Sequence, residues 1–186
     1  MKVATRMNGV AVDQLMETIE AVKANPQLAR FHFRARNRWR DGTHNRTSIQ
    51  GFTAGGTEDV SRPGPFQFDN DEPPVLLGEN RGANPVEFIF HALAGCMTTT
   101  FVAYASANGV KIDSIETELE GDIDLRAFLG ITDDVRRGYR EIRVNCRVTS
   151  AAPRETIEEL FKLAQARSPV IDIVTNPTPV RFTLAG

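Results

Sequence analysis

The chain has 186 residues, enough for one domain that buries a substantial core, with or without an added arm. Its composition, 41% hydrophobic and 25% charged, is ordinary for a soluble globular protein. A net charge of −2 excludes a global field that would attract nucleic acid or an anionic membrane surface. The two cysteines do not make a disulfide framework, and the first residues lack the apolar run of a signal peptide. We therefore expect a cytoplasmic protein with reduced thiols, and neither nucleic acid nor membrane as a partner.

Residues 1–28 are predicted to form an N-terminal arm that carries an amphipathic helix. Apolar residues recur in this segment at helical spacing, which predicts a helix at about 11–24 that ends at Asn25-Pro26. The folded domain is predicted to occupy the remainder, residues 29–186.

From Ala29 the apolar residues recur with a period of two and alternate with arginines. Asp41-Gly42 is a turn signal, and a return strand at 47–50 completes a predicted hairpin with one basic face. This arginine stripe, Arg34–Arg40, has two interpretations: a phosphate-binding surface, or one part of a charge-balanced sheet with an acidic companion strand. The acidic strand found later in the chain favours the balanced sheet. The next segment, residues 53–83, is predicted to be a long loop with one short strand near Phe66–Phe68, and such loops often cover a site.

A long, nearly uncharged helix is predicted after this loop. Asn84 fits the N-cap, Pro85 the first helical position and Glu87 the acid of a capping box, while Asn108-Gly109 is a good C-terminal stop. The helix has almost the length of a membrane span, but its polar residues, including three consecutive threonines, argue for a buried helix instead. Because it is apolar nearly all round, we expect cover on every side, part of it from a second subunit of a homodimer.

Two strands of opposite charge follow the helix. Residues 115–125 present an acidic face and residues 142–148 a basic face, which suits antiparallel neighbours. A second helix is predicted from Pro153, and Ser168-Pro169 ends it and caps a short third helix. Residues 176–184 are predicted to be an edge strand, because prolines are tolerated there. The order of elements predicts an α+β fold, with an antiparallel sheet packed on helices.

Cys96, in the middle of the apolar helix, is the best candidate for chemistry. A thiol in this position is either a small core residue or a shielded nucleophile. Residues on its helical face are apolar before it and carry hydroxyls after it, which predicts a pocket for an apolar substrate with one polar end. The predicted lining residues on this helix are Ile89, Leu93, Thr99 and Thr100. The other cysteine, Cys146, alternates with apolar residues on a strand and is predicted to be packing.

Other charged residues offer weaker signals. Glu87 and His91 lie four apart and could face one metal ion, but two ligands without a third do not predict a metal site. Glu87 also lies about 180° around a regular helix from Cys96, so its role as a capping acid is preferred. Arg46 follows the hairpin turn, lies outside the arginine stripe and could reach a site.

The run from Asn84-Pro-Val-Glu to Leu93-Ala-Gly-Cys96 resembles the OsmC/Ohr family, and the likeness extends from about Ala29 to the C-terminus. It includes Asp71-Glu72-Pro73, Gly138-Tyr139 and Ser168-Pro169-Val170. The resemblance implies an intertwined homodimer with two long central helices between sheets and sites at the subunit interface. In peroxide-reducing members, a cysteine at the position of Cys96 attacks the hydroperoxide. An arginine from the N-terminal hairpin holds the thiolate, and a glutamate holds that arginine. A second cysteine then forms a disulfide that a dithiol or small thiol reduces, with no metal or flavin.

The chain departs from this pattern at two positions. Ser168 stands where the family has its second cysteine, and Val86 stands where the reductase glutamate follows the proline, with Glu87 one place later. The matching arginine is Arg46, or Arg40 as the alternative. The candidate catalytic residues are thus Cys96, Arg46 and Glu87, and Ser168 is expected to join the lining of the pocket. Two functions follow. One is single-cysteine reduction of an organic hydroperoxide, or related thiol chemistry, at Cys96, completed by an external thiol reductant. The other is a non-enzymatic dimer that binds an apolar small ligand in an interface pocket.

Overall fold

The computed structural model describes residues 6–186, so the part of the predicted arm before Arg6 lies outside the described residues. The chain divides into two compact units. Of the described residues, the N-terminal unit holds Arg6 and Ala11–Ile89, and the C-terminal unit holds Met7–Val10 and Phe90–Gly186. Arg6–Met7 (β1) and Val10–Ala11 (β2) form a small two-stranded sheet.

The N-terminal unit begins with helix α1, Val12–Ala24. This confirms the helix predicted at 11–24. It ends at Asn25, whose side chain accepts a hydrogen bond from the backbone N–H of Gln27 and so caps a short 3-10 helix over Pro26–Ala29.

Two three-stranded antiparallel sheets follow in this unit. The first has the order β4-β5-β8, with β4 at Arg36–Asp41, β5 at His44–Ile49 and β8 at Phe66–Asn70. The second has the order β3-β6-β7, with β3 at Phe31–Phe33, β6 at Phe52–Ala54 and β7 at Thr57–Asp59.

These sheets confirm the predicted hairpin and the short strand near Phe66, and they correct two predictions. The strand predicted from Ala29 onward is interrupted at Arg34–Ala35, because β3 and β4 pair in different sheets. The predicted loop at 53–83 contains a β6-β7 hairpin whose turn is Gly55-Gly56. Both glycines have positive φ angles, +58° and +83°, which suit the tight two-residue turn of a hairpin.

The segment after β8 is organised by one buried carboxylate, that of Asp71, which is 3% exposed. Its oxygens accept hydrogen bonds from the Thr43 hydroxyl at 2.6 Å and from the backbone N–H groups of Glu72, Glu79 and Arg81 at 2.9–3.1 Å. The Thr43 hydroxyl and these N–H groups hold the pKa of Asp71 well below its ordinary value.

The C-terminal unit contains most of helix α2 (Glu87–Ala107), strands β9 (Ser114–Gly121) and β10 (Ile142–Thr149), and helices α3 (Arg154–Arg167) and α4 (Pro169–Thr175). The two strands are antiparallel neighbours, as predicted. Arg143 lies opposite Glu120 and bonds to it at 2.7 Å, and Arg147 lies opposite Glu116 at 3.4 Å. The acidic strand therefore balances β10 and not the arginine stripe of β4, which corrects the favoured interpretation of that stripe.

The core of this unit lies between α2 and α3. On α2 the buried residues Leu93, Met97, Phe101 and Ala105 recur every four positions, one stripe of a helix. On α3, Leu160 and Ala164 are buried against that stripe. The Phe101 ring also meets the Phe161 ring edge-on, with centroids 6.4 Å apart.

Three predictions for this half differ from the structure. The acidic strand ends at Gly121 instead of 125, and residues 176–184 form no strand. Two prolines remove backbone donors from that segment, which needs a pairing partner to become a strand. The predicted burial of α2 on every side is also incomplete in one chain, since the described burial is confined to the stripe above and its neighbour Ser106.

Within the described residues, α2 is long and apolar enough to cross a membrane. One such helix is weak evidence for a span, because the core helix of a soluble protein has the same length and composition.

Candidate active site

The structure brings together Cys96 and Ser168, which are 72 residues apart in the chain. The Ser168 hydroxyl donates a hydrogen bond to the Cys96 sulfur at an Oγ–Sγ distance of 3.1 Å. The same oxygen accepts a hydrogen bond from the backbone N–H of Ile171 at 3.3 Å. Ser168 is only 3% exposed, so its hydroxyl has little access to competing water. This arrangement directs the hydroxyl hydrogen at the sulfur.

Helix packing explains why these two residues meet. Cys96 precedes Met97 by one position and so lies at the edge of the buried stripe of α2. Helix α3 packs on the same stripe through Leu160 and Ala164 and ends at Arg167. Ser168 then serves as the N-cap of α4, with proline at the first helical position, which is where proline fits best. The sequence Ser168-Pro169 thus ends one helix and starts the next beside Cys96.

A hydroxyl donor at this distance has a definite chemical consequence. The Ser168 hydroxyl can hydrogen-bond to the Cys96 sulfur and to an oxygen added to that sulfur on oxidation. The hydroxyl cannot form a disulfide. The pair can therefore hold the sulfur and its oxidised form by a hydrogen bond, but cannot close a two-cysteine cycle.

The predicted lining residues on α2 have different surroundings. Leu93 is buried in the stripe, whereas Ile89 is 40% exposed and belongs to the N-terminal unit. Thr99 donates its hydroxyl hydrogen to the backbone carbonyl oxygens of Gly95 and Cys96, so that hydrogen is already used within the helix. Thr100 is half-buried.

Cys146 is also half-buried, and it lies on β10 directly opposite Thr117. The Thr117 hydroxyl donates to its sulfur at 3.8 Å, longer than the Ser168–Cys96 contact. Cys146 lines a groove of about 600 Å³ between β10 and α3, together with apolar residues such as Ile157 and Phe161.

Glu87 lies in the N-terminal unit and forms the predicted capping box. Its carboxylate accepts from the backbone N–H of Asn84 at 2.8 Å, and the Asn84 side chain accepts from the N–H of Val86 at 3.0 Å. Regular α2 begins at Glu87, so Pro85 and Val86 form a turn before the helix instead of its first residues. The Glu87 carboxylate is used as a cap.

Arg46, on β5 of the N-terminal unit, is held by a carboxylate that sequence reasoning missed. Asp69 lies opposite it on β8 and accepts from Nε at 2.8 Å and from Nη2 at 2.9 Å. Hydrogen bonds from Arg46 and then from His44 lower the pKa of Asp69 to about 2, and the bond that Arg46 donates to Asp69 in turn raises the pKa of Arg46. The remaining nitrogen, Nη1, reaches Gln67 at 3.4 Å. The guanidinium is thus fixed in position and permanently charged.

The missed partner had a signal in the sequence. In Phe66-Gln-Phe-Asp-Asn the polar Gln67 and Asp69 alternate with the aromatic residues, so they share one face of a strand. Their contact with Arg46 depends on the register of β5 with β8, which the local pattern does not specify.

Among residues 6–186, no group of three or more His, Cys, Asp or Glu side chains is placed to hold a metal ion.

Comparison with known proteins identifies relatives at the level of family and fold. The sequence model of the OsmC-like protein family matches residues 78–183. Among curated proteins, no sequence matches the chain.

Three solved structures resemble the chain. An OsmC-like protein from Mycoplasma pneumoniae is 17% identical, covers 77% of this chain and 87% of its own, and has a TM-score of 0.59. An organic hydroperoxide resistance protein OsmC from Legionella pneumophila is 15% identical, with 77% and 88% covered and a TM-score of 0.54. An OsmC-like protein from Vibrio cholerae is 12% identical, with 76% and 92% covered and a TM-score of 0.54. These TM-scores show a common α+β fold, and at identities this low the similarity shows the fold alone.

Proposed function

The chain belongs to the OsmC-like protein family, and on that premise we propose that Cys96 reduces organic hydroperoxides, with a small external thiol completing the turnover. The observation that carries this proposal is the 3.1 Å hydrogen bond from the buried Ser168 hydroxyl to the Cys96 sulfur. The substrate class is supported by the name of the Legionella pneumophila protein, an organic hydroperoxide resistance protein.

The reaction balances without a second cysteine. The Cys96 thiolate attacks the distal oxygen of the hydroperoxide, the O–O bond breaks, and the alkoxide leaves and takes a proton to become an alcohol. Cys96 is now a sulfenic acid. A small thiol attacks it, forms a mixed disulfide and releases water. A second thiol then attacks that disulfide, which restores the Cys96 thiol and leaves the small disulfide as product.

We assign Ser168 and Arg46 distinct roles in this scheme. Ser168 donates to the thiolate and then to the sulfenate oxygen or sulfur. Arg46 is proposed as the cation that favours the thiolate, a role supported by the way Asp69 fixes its guanidinium. Asp69, and not Glu87, then takes the part of the acid that holds the arginine, because the Glu87 carboxylate is used in the capping box.

We also propose that the active protein is a homodimer in the cytoplasm. Proteins of this family are soluble, which fits α2 as a core helix and not a membrane span. In one chain α2 is buried along one stripe only, and Phe182 and Leu184 are 93% and 99% exposed. Apolar surface of this extent favours cover by a second copy. Multi-angle light scattering should give twice the 20.6 kDa chain mass, and a monomer at micromolar concentration contradicts the proposal.

The catalytic proposal is tested by hydroperoxide consumption in the presence of excess dithiothreitol. We expect the wild-type protein to consume cumene hydroperoxide and Cys96→Ser to lose at least ~100-fold of that rate, since the nucleophile is gone. Cys146→Ser is the matched control and should retain the wild-type rate. Equal rates for the wild type and Cys96→Ser would sink the proposal.

The second candidate is a dimer that binds an apolar ligand without chemistry, and Ser168 favours it because a serine there cannot complete the usual two-cysteine cycle. This alternative gives a different result in the same assay. It predicts no consumption of hydroperoxide by any variant, and an apolar molecule that remains with the protein in native mass spectrometry.

A further inference from the structure

The face of β4 that carries the arginine stripe is unusual in its charge. Arg36 and Arg38 alternate along this exposed strand and therefore point to the same side of the sheet, about 7 Å apart. Arg40 lies at a register shift between Trp39 and Asp41 and lines the same cavity as the other two. Within residues 6–186, no carboxylate pairs with any of the three. Of the described arginines in the stripe Arg34–Arg40, only Arg34, which lies just before the strand, has an acidic partner, Glu58.

The strand register brings a further positive charge to this face. Arg38 lies directly opposite Arg46 in the β4-β5 pairing. Like charges directly opposite each other destabilise an antiparallel pair. Asp69 neutralises Arg46 but makes no contact with Arg38. Asp69 therefore offsets the charge of Arg46, and the charge that stays without an acidic partner among residues 6–186 is that of Arg36, Arg38 and Arg40.

These side chains surround a concave surface. A cavity of about 700 Å³ opens on this face of the N-terminal unit. No aspartate or glutamate is among the residues that line it. The lining consists of five arginines, Arg46 among them, together with small or neutral polar residues such as Ser48 and Gln67.

Strand β10 shows what the same sequence pattern does when it needs no ligand. Its two arginines also share one face of the strand, but Arg143 bonds to Glu120, Asp122 and Glu141, and Arg147 bonds to Glu116. The arginines of β10 are thus satisfied within the sheet. Within residues 6–186, the arginines of β4 have no such acids. Their charge can therefore be balanced by an anion that binds from solution.

We propose that the β4 cleft binds a small linear polyanion that carries several phosphate groups. Guanidinium groups match phosphate oxygens with paired N–H donors, and their charge is permanent. Their repetition along an extended strand suits a ligand whose negative groups also repeat along its length. Ser48 and Gln67 supply neutral hydrogen-bonding groups beside the guanidiniums. This site goes beyond the thiol chemistry proposed for Cys96: it shares Arg46 with that chemistry but does not require Cys96.

Isothermal titration calorimetry of the full chain with inorganic tripolyphosphate tests this site. At about 0.15 M salt, we expect saturable binding of tripolyphosphate by the wild type and by Cys96→Ser. The affinity of the double variant Arg36→Gln/Arg38→Gln should be lower than that of the wild type by roughly tenfold or more. Arg30→Gln is the matched control, because it removes one exposed arginine of the same unit outside the cleft, and it should bind like the wild type. The double variant should melt at or above the wild-type temperature, since it removes a like-charge pair.

Each other outcome overturns the site. No saturable heat with the wild type, or equal affinity for the wild type and the double variant, means that the cleft does not bind the probe. Equal or tighter binding of citrate contradicts the preference for phosphate, and retention of duplex DNA without binding of tripolyphosphate contradicts a small ligand. If the double variant does not fold, Arg38→Gln alone is compared with Arg30→Gln, and the same outcomes decide.

Discussion

Cys96 and Cys146 are both half-buried, and each has a hydroxyl beside its sulfur, yet the two hydroxyls are held in different ways. Thr117 lies next to Cys146 because the β9-β10 register places them opposite each other, and its oxygen stays 3.8 Å from the sulfur. Ser168 comes from a distant helix end, is fixed by the N–H of Ile171, and approaches Cys96 to 3.1 Å. Burial alone therefore does not distinguish the two thiols, whereas the fixed donor beside Cys96 does.

The largest expected effect comes from supplying the missing sulfur. In Ser168→Cys, the introduced thiol lies within bonding reach of Cys96, so one equivalent of cumene hydroperoxide should convert nearly all of the protein to a Cys96-containing disulfide. Thr117→Cys is the matched control beside Cys146 and should form no disulfide under the same conditions. Peptide mass spectrometry without reductant measures both, and a disulfide in Thr117→Cys alone would reverse the assignment of the two thiols.

The second largest effect is expected from a substitution that weakens the packing of α3 on α2, which brings Ser168 to Cys96. Phe101 lies on α2 and is fully buried against α3, so Phe101→Ala should cost about 3–5 kcal/mol of unfolding free energy. Val148→Ala, at a half-buried position near Cys146, should cost less, about 1 kcal/mol. Urea denaturation measures both. Equal losses would mean that the core does not depend on the α2–α3 contact.

Removing the donor alone should have a smaller effect. Ser168→Ala deletes the hydrogen bond to the Cys96 sulfur, and we expect alkylation of Cys96 by iodoacetamide at neutral pH to slow by about tenfold. Thr117→Val deletes the longer contact to Cys146 and should change the alkylation of Cys146 by less than about twofold. An unchanged Cys96 rate in Ser168→Ala would show that the hydroxyl only caps α4.

The features that the sequence predicts correctly are those determined by residues close together in the chain. The helices, the cap at Asn84 and the opposite charges of β9 and β10 follow from spacing along the chain, and the structure confirms them. Partners that depend on strand register were missed or misassigned. The sequence pattern does not identify Asp69 as the partner of Arg46, and the expectation that the acidic strand also balances the arginine stripe is wrong, since that strand pairs with β10 alone among the described strands.

The strand predicted at 176–184 is wrong for a related reason, because a strand also depends on pairing with a distant part of the chain. Its alternation of Val180, Phe182 and Leu184 is typical of a strand, but a strand exists only where a neighbour offers backbone hydrogen bonds. Cys96 itself was found because it lies in a long apolar helix. Its contact with Ser168 required the packing of α3 on α2, which the periodicity of neither helix specifies.

The smallest expected effect concerns the arginine assigned to the thiolate. The pKa of Asp69 is about 2, below the ordinary value of ~3.9, so its contribution to stability is complete above about pH 4 and is lost as the pH falls through 2. Asp69→Asn should therefore melt at a slightly lower temperature than the wild type at pH 7, with the difference vanishing near pH 2. It should also slow hydroperoxide consumption at Cys96 without changing the alkylation of Cys146. Melting curves that stay equally far apart from pH 7 to 2 contradict the Asp69–Arg46 pair.

The most direct test is mass spectrometry of the wild-type protein titrated with an organic hydroperoxide in the presence of dimedone, which traps sulfenic acids. We predict one dimedone adduct per chain, located on Cys96, with Cys146 unmodified at one equivalent of oxidant. An unmodified Cys96, or an adduct on Cys146 in its place, would contradict the assignment of Cys96 as the reactive thiol.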